Sequence, residues 1–127
     1  VAHATLPLAA HLRAVPTARH WTNQHCVQHL DDESARQVVE LLTSELVANA
    51  VLHGAAPFAL DVDCDPRAVH VAVSDASPHP PQLRHASPEA TGGRGIALVD
   101  MLATAWGHNL GPNGQGKVIW FTYDLTH

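Results

Sequence analysis

Positive charge is scarce in this chain. Its 127 residues include seven Lys and Arg, of which Lys117 is the one lysine, against twelve Asp and Glu, for a formal net charge of −5. A protein that grips a nucleic-acid backbone by counterion release needs the opposite sign, so direct nucleic-acid binding is disfavoured. Cysteine is nearly absent too. Cys26 and Cys64 are too few for a disulfide framework and fit no CxxC spacing, so they read as a pair of reduced thiols in a cytoplasmic protein. No apolar run approaches the roughly 18 residues of a membrane span. Residues 1–16 show no cationic start before an apolar core, so the expectation is a soluble, unsecreted chain without a membrane partner. What is plentiful is ordinary globular material, 46% hydrophobic and 15% charged. At roughly 100–200 residues per domain, residues 1–127 are expected to form one domain with one core.

Periodicity and punctuation order the elements. Residues 4–6 suit a short edge strand closed by Pro7, and residues 15–30 a first helix with Pro16 in its opening turn. The acidic Asp31, Asp32 and Glu33 suit the start of a second helix running to His53. Gly54 then stands where a left-handed C-terminal cap is common. Residues 58–64 and 68–74 read as two strands around an Asp65-Pro66-Arg67 turn, with Val69, Val71 and Val73 alternating toward one face. Residues 77–87 carry Pro78, Pro80 and Pro81, with Pro88 just beyond, and are not regular structure. A helical pattern resumes over 96–103, and residues 104–108 and 117–123 read as strands around a glycine-rich loop at 111–116. Helices first, then strands with one helix inserted, argue an α+β fold: a two-layer sandwich in which helices cover one face of a single mixed or antiparallel sheet.

Three features carry chemistry. On the second helix Val38, Leu41, Leu42, Leu46 and Leu52 supply an apolar stripe, with Glu45, Asn49 and His53 four apart along its border. A carboxylate beside such a stripe is either a solvated edge or a group that needs a partner. Asp75 shares strand parity with Val69, Val71 and Val73. It is either the first residue of an Asp-Ala-Ser-Pro turn or a semi-buried acceptor for a ligand's donor, such as the exocyclic amine of a purine. Gly92-Gly93-Arg94-Gly95 precedes a helix, where free backbone N–H groups and the helix dipole favour phosphate. A loop without ligand is the plainer alternative, and no GxxxxGK(S/T) motif occurs.

In their order, these features resemble the GHKL superfamily of histidine-kinase-like ATP-binding domains. Glu45-Leu-Val-Ala-Asn49-Ala-Val-Leu-His53-Gly54 looks like its N box, Val73-Ser-Asp75-Ala-Ser-Pro like its G1 box and Gly92-Gly-Arg-Gly-Ile-Ala-Leu-Val99 like its G2 box. The closest likeness is to the stand-alone anti-sigma-factor serine kinases of the RsbW and SpoIIAB type, in their actinobacterial form. The resemblance implies ATP and Mg2+ as cofactors. It implies Asn49 as the Mg2+ ligand, Glu45 as the general base and Asp75 as the acceptor of the adenine amine. It further implies Gly93, Arg94 and Gly95 in a lid over the phosphates and a phosphate contact for His53. The G1 box departs from the family's Asp-x-Gly-x-Gly by running into Pro78, Pro80 and Pro81, with Ser77 offering a hydroxyl in place of a glycine backbone. The implied partners are a sigma factor and a small antagonist protein, with a homodimer as a further expectation.

Two functions follow from the resemblance: a serine/threonine protein kinase that phosphorylates the antagonist, or an ATP- or ADP-responsive binding module of the same fold that has lost phosphotransfer. Glu45 favours the first and the altered G1 box the second. A metal-dependent hydrolase is disfavoured, since the eleven histidines include no HxH or HExxH. His25 and His29, four apart near Cys26, are read as an exposed helix face, and Trp106 and Trp120 as core.

Overall fold

In the computed structural model, residues 2–79, 94–111 and 114–125 are described. The chain runs β1 (Ala2–Leu8), α1 (Ala14–His25), a 3-10 turn (Val27–His29), α2 (Glu33–His53), β2 (Phe58–Cys64), β3 (Ala68–Asp75), α3 (Arg94–Leu102), β4 (Ala105–Leu110) and β5 (Lys117–Asp124). The five strands form one sheet in the order β1-β2-β3-β5-β4, antiparallel at every step. This is the α+β sandwich expected from the order of elements, with helices on one face.

Local chemistry explains most of the boundaries. The Asp32 carboxylate accepts from the backbone N–H of Ser34 (2.9 Å) and Ala35 (3.4 Å), capping α2. At the other end the Gly54 N–H closes on Ala50 O at 2.7 Å. Gly54 is not the left-handed cap expected, for its φ is −95°, and another constraint holds it as glycine. β1 runs through Pro7, which pairs with Ala59 instead of ending the strand. An edge strand tolerates a residue without an N–H on its open side. The first helix is shorter than residues 15–30, because the chain leaves helical geometry at Cys26 (φ −143°). Ala14, Ala18 and Thr22 form the buried stripe of α1; Cys26, Val27 and Leu30 are also buried, and one straight helix does not turn all of them inward.

The core lies between α2 and the sheet. Val39, Leu42, Leu46, Val47 and Ala50 of α2 join Leu60 and Val62 of β2, Val69, Val71 and Val73 of β3, and Ile119 and Phe121 of β5. Ile96 and Val99 bring α3 against the same cluster. The stripe on α2 is rotated from the one expected: Leu41 and Leu52 are exposed, while Val39, Thr43 and Val47 turn inward. Trp106 packs partly against the core, but Trp120 does not. Strand parity puts Trp120 opposite Ile119 and Phe121, on the far face of the sheet, where it stacks on His70 with ring centroids 5.5 Å apart.

The cysteines also differ from expectation. Cys26 and Cys64 are not a pair of thiols: they form a disulfide, with Cα atoms 5.9 Å apart, tying the end of α1 to the end of β2. Packing α1 beside the sheet brings together residues 38 apart in sequence, a proximity that no local spacing encodes. The thiol-based reason for a cytoplasmic location falls with this correction. Among the described residues no helix is long and apolar enough to cross a membrane.

Candidate functional site

Two antiparallel strands and the end of α2 converge on Asp75. The residue closes β3, and its cross-strand partner is Lys117, the first residue of β5. Because Val73 pairs with Ile119 and Val71 with Phe121, the same parity that buries those apolar pairs turns Asp75 and Lys117 toward the helices. Both are buried, at 6% and 5% exposure. Buried charges are expensive unless paired, and here the Lys117 ammonium lies 3.1 Å from each carboxylate oxygen.

The two oxygens of Asp75 have different surroundings. Oδ1 accepts from the N–H of Ser77 (2.7 Å), from Lys117 Nζ (3.1 Å) and, at 3.4 Å, from the N–H of Ala55. Oδ2 is buried, and its partner is the Lys117 ammonium at 3.1 Å, an ion pair outside hydrogen-bond geometry. The turn reading of Asp75 is seen directly in the Ser77 N–H bond to Oδ1. Oδ1 organises the turn, and Oδ2 is shut away from water against the Lys117 ammonium.

Ser77 completes the turn. Its Oγ accepts from the His79 N–H at 3.3 Å, and its carbonyl accepts from Lys117 Nζ at 3.4 Å. The Ala76 N–H reaches back to Ala55 O at 2.7 Å, clamping the turn to the chain that leaves α2. Two glycines make room. A Cβ on Gly54 would lie 2.6 Å from Asp75 Cγ, and one on Gly116, whose φ is +69°, would overlap the Asp75 carbonyl.

Glu45 and Asn49 are half-buried on one edge of α2, about 6 Å apart along the axis at 1.5 Å per residue. His53, one turn further, is exposed. Glu45 lines a cavity of about 480 Å3 between α1 and α2, together with Arg19, Glu40, Leu41 and Ser44. Arg94 and Gly95 fall in the first turn of α3, which packs against α2. Gly93 lies outside the described residues, as do residues 80–92. The structure thus gathers Glu45, Asn49 and His53 on one helix edge and Asp75 with Ser77 at the foot of that helix. His25 and His29 are exposed and, with the disulfide, line a separate cavity of about 470 Å3. Among the described residues no group of three His, Cys, Asp or Glu could hold a metal ion.

Sequence reasoning missed Lys117 as a site residue. The signal was available: a lone lysine that opens an apolar strand in phase with Ile119 and Phe121 must be buried, and a buried lysine needs a partner.

The helix edge bearing Glu45 and Asn49 thus stands above a buried carboxylate at a strand end, the groups singled out by the resemblance. The chain matches the family model of the histidine kinase-like ATPase domain over residues 8–123 and belongs to that family, whose members are ATP-binding domains of the GHKL type. A search of curated proteins finds no match.

Proposed function

We propose that this ATP-binding domain is a serine/threonine protein kinase of the anti-sigma-factor type, which phosphorylates a small antagonist protein and in its absence holds a sigma factor. The proposal includes a cytoplasmic setting, where ATP and such partners occur together. The observation that carries it is the buried Asp75 carboxylate at the foot of the helix that bears Glu45 and Asn49. An adenine amine would donate to this carboxylate, which has no N–H donor on Oδ2 other than the Lys117 ammonium among the described residues.

In this reading Mg2+ would offset charge on the phosphates, and the Asn49 amide oxygen is the hard donor that suits it. Arg94, with Gly93 and Gly95 beside it in sequence, would meet the phosphates, and His53 would extend the contact along the α2 edge. Glu45 has the chemistry of a general base. It would take the proton from an attacking Ser or Thr hydroxyl, and the cavity it lines leaves space for a partner's side chain.

The second reading, a binding module without phosphotransfer, draws support from the turn after Asp75. Oδ1 is fully engaged, and Pro78 follows at once, so the adenine loop is stiffer than a glycine-rich one. Calorimetry with ATP, ADP and GTP, with and without Mg2+, followed by transfer of labelled phosphate to captured partners, separates the readings. Binding of ATP with Mg2+ and labelling of a Ser or Thr supports the kinase. Binding without labelling leaves the module, and no binding of any nucleotide overturns both.

A further inference from the structure

Cys26 and Cys64 are the only cysteines of the chain, and both belong to the one disulfide. No third thiol can reopen it from within, so exchange needs a thiol from another molecule. The bond is not sealed in the core. It lies in the wall of a cavity of about 470 Å3, formed by the end of α1 and the turn after it on one side and by Cys64, Asp65 and Pro66 on the other. That volume falls within the roughly 300–1,000 Å3 over which proteins take small molecules. The two cysteines are unequally placed, Cys26 being 1% exposed and Cys64 half-buried. The lining also has a sign. Asp31, Asp32 and Asp65 bring three carboxylates to it, and among the described residues no lysine or arginine lines it. Asp32 and Asp65 are fixed in place by backbone N–H groups that they accept from, those of Ser34 and Arg67. Arg36 donates to the carbonyl of Leu30, a lining residue, without joining the lining itself.

We infer that the Cys26–Cys64 disulfide is a modification site for low-molecular-weight thiols, open at Cys64 and selective for thiols that carry positive charge. The inference stands apart from the ATP-binding reading. The thiolate of an aminothiol, RS−, attacks the sulfur of Cys64, the more accessible of the two residues. A new S–S bond joins RS to Cys64, and the electron pair of the broken bond leaves with the Cys26 sulfur. The proton lost by the attacking thiol ends on Cys26, which burial holds as the neutral thiol. A second RSH takes the first from Cys64, leaving two protein thiols and one RSSR. The protein disulfide is thereby reduced by two electrons and the two small thiols are oxidised. The ammonium of an aminothiol is drawn to the carboxylates of the lining and an anionic thiol is repelled by them, so charge governs the rate of entry.

The test treats the whole native chain at low ionic strength with cysteamine, mercaptoethanol and mercaptoacetate, which are cationic, neutral and anionic. After an acid quench, mass spectrometry reads the opening of the disulfide. Each rate is expressed per thiolate and divided by the rate of the same thiol on hydroxyethyl disulfide, a neutral reference that removes intrinsic reactivity. The normalised rate with cysteamine is expected to exceed that with mercaptoacetate by about tenfold, with mercaptoethanol between. The spread is expected to shrink at about 1 M salt, where the Debye length is ~3 Å, and in Asp31→Asn, which removes one charge from the lining. Peptide mapping of the quenched product is expected to place the adduct on Cys64. Cys26→Ala treated with cystamine, the disulfide of cysteamine, is expected to hold that adduct stably, since no Cys26 thiol remains to expel it; if this variant does not fold, the wild-type rates and map carry the test. A native disulfide that resists all three thiols while the urea-unfolded chain reacts would overturn the inference and leave the bond purely structural. An adduct on Cys26, or equal normalised rates for the cationic and anionic thiols, would also overturn it. None of these readouts involves ATP, so a failure of the ATP-binding reading leaves them standing.

Discussion

Gly54 is a glycine because Asp75 occupies the place of its side chain. A Cβ there would lie 2.6 Å from Asp75 Cγ and 2.7 Å from Ala50 O. The end of α2 and the carboxylate of β3 thus meet with only a hydrogen between them. Gly54→Ala is expected to push the carboxylate off its turn and cost about 1–3 kcal/mol of stability, the usual scale of overpacking. Urea denaturation measures this directly. An unchanged midpoint would show that Asp75 moves aside without penalty.

Asp75 carries two burdens that one substitution separates. Asp75→Asn replaces an acceptor-only group by one that also donates, which is expected to weaken ATP binding by about 1–3 kcal/mol. It also leaves the buried Lys117 without a counter-charge, and breaking a buried pair in this way typically costs about 3–5 kcal/mol of stability. Calorimetry under conditions where the variant is shown to be folded isolates the first effect, and thermal denaturation reads the second. A variant as stable as the wild type would show that the ion pair carries little weight.

The Cys26–Cys64 disulfide closes a loop of 38 residues. Chain-entropy scaling for a loop of that length gives about 4 kcal/mol. Reduction, or the Cys64→Ser variant, is expected to lower the melting temperature while the strand pairings persist. Equal melting curves with and without a dithiol reductant would show that the covalent link adds nothing to the packing of α1.

Asp65 holds the turn between β2 and β3, accepting from the N–H groups of Arg67 (2.7 Å) and Ala68 (3.0 Å). The Arg67 hydrogen bond, then that of Ala68, favour the ionised form and hold the Asp65 carboxyl below its ordinary value of 3.8. A depressed folded value means stability present above the unfolded value and lost as pH falls through the folded one. Asp65→Asn is therefore expected to be less stable than the wild type near neutrality, with the gap closing below pH 3.8. Urea midpoints across that range test it, and a gap independent of pH would contradict the assignment.

Much of the fold is legible because its signals are local. The alternation of Val69, Val71 and Val73 marks β3, and Asp32 announces the start of α2. The border positions of Glu45 and Asn49 follow from helical spacing alone. What escapes is set by tertiary contact. The disulfide and the break in α1 depend on where α1 docks, and Gly54 answers to a carboxylate 21 positions on. Lys117 and Trp120 are intermediate cases. Their strand was legible, and parity alone assigns the lysine to the helix face and the tryptophan to the open one, but those assignments carry meaning only once Asp75 and His70 are known to stand opposite.

The kinase reading turns on Glu45. It is half-buried beside Leu46, faces the cavity between α1 and α2, and sits one helical turn before Asn49. A general base must be ionised and able to take a proton; an amide of the same size is not. Glu45→Gln is therefore expected to lower phosphotransfer by about 10²–10⁴-fold, the usual contribution of a positioned base. ATP affinity should stay near that of the wild type, because the groups assigned to the adenine and the metal are Asp75 and Asn49. Rates of labelled phosphate transfer to a captured antagonist, set beside calorimetric affinities, test both halves. A variant that transfers phosphate at the wild-type rate would show that Glu45 takes no proton in the reaction. A variant that loses ATP binding together with transfer would show that Glu45 holds the nucleotide and does not act on the hydroxyl.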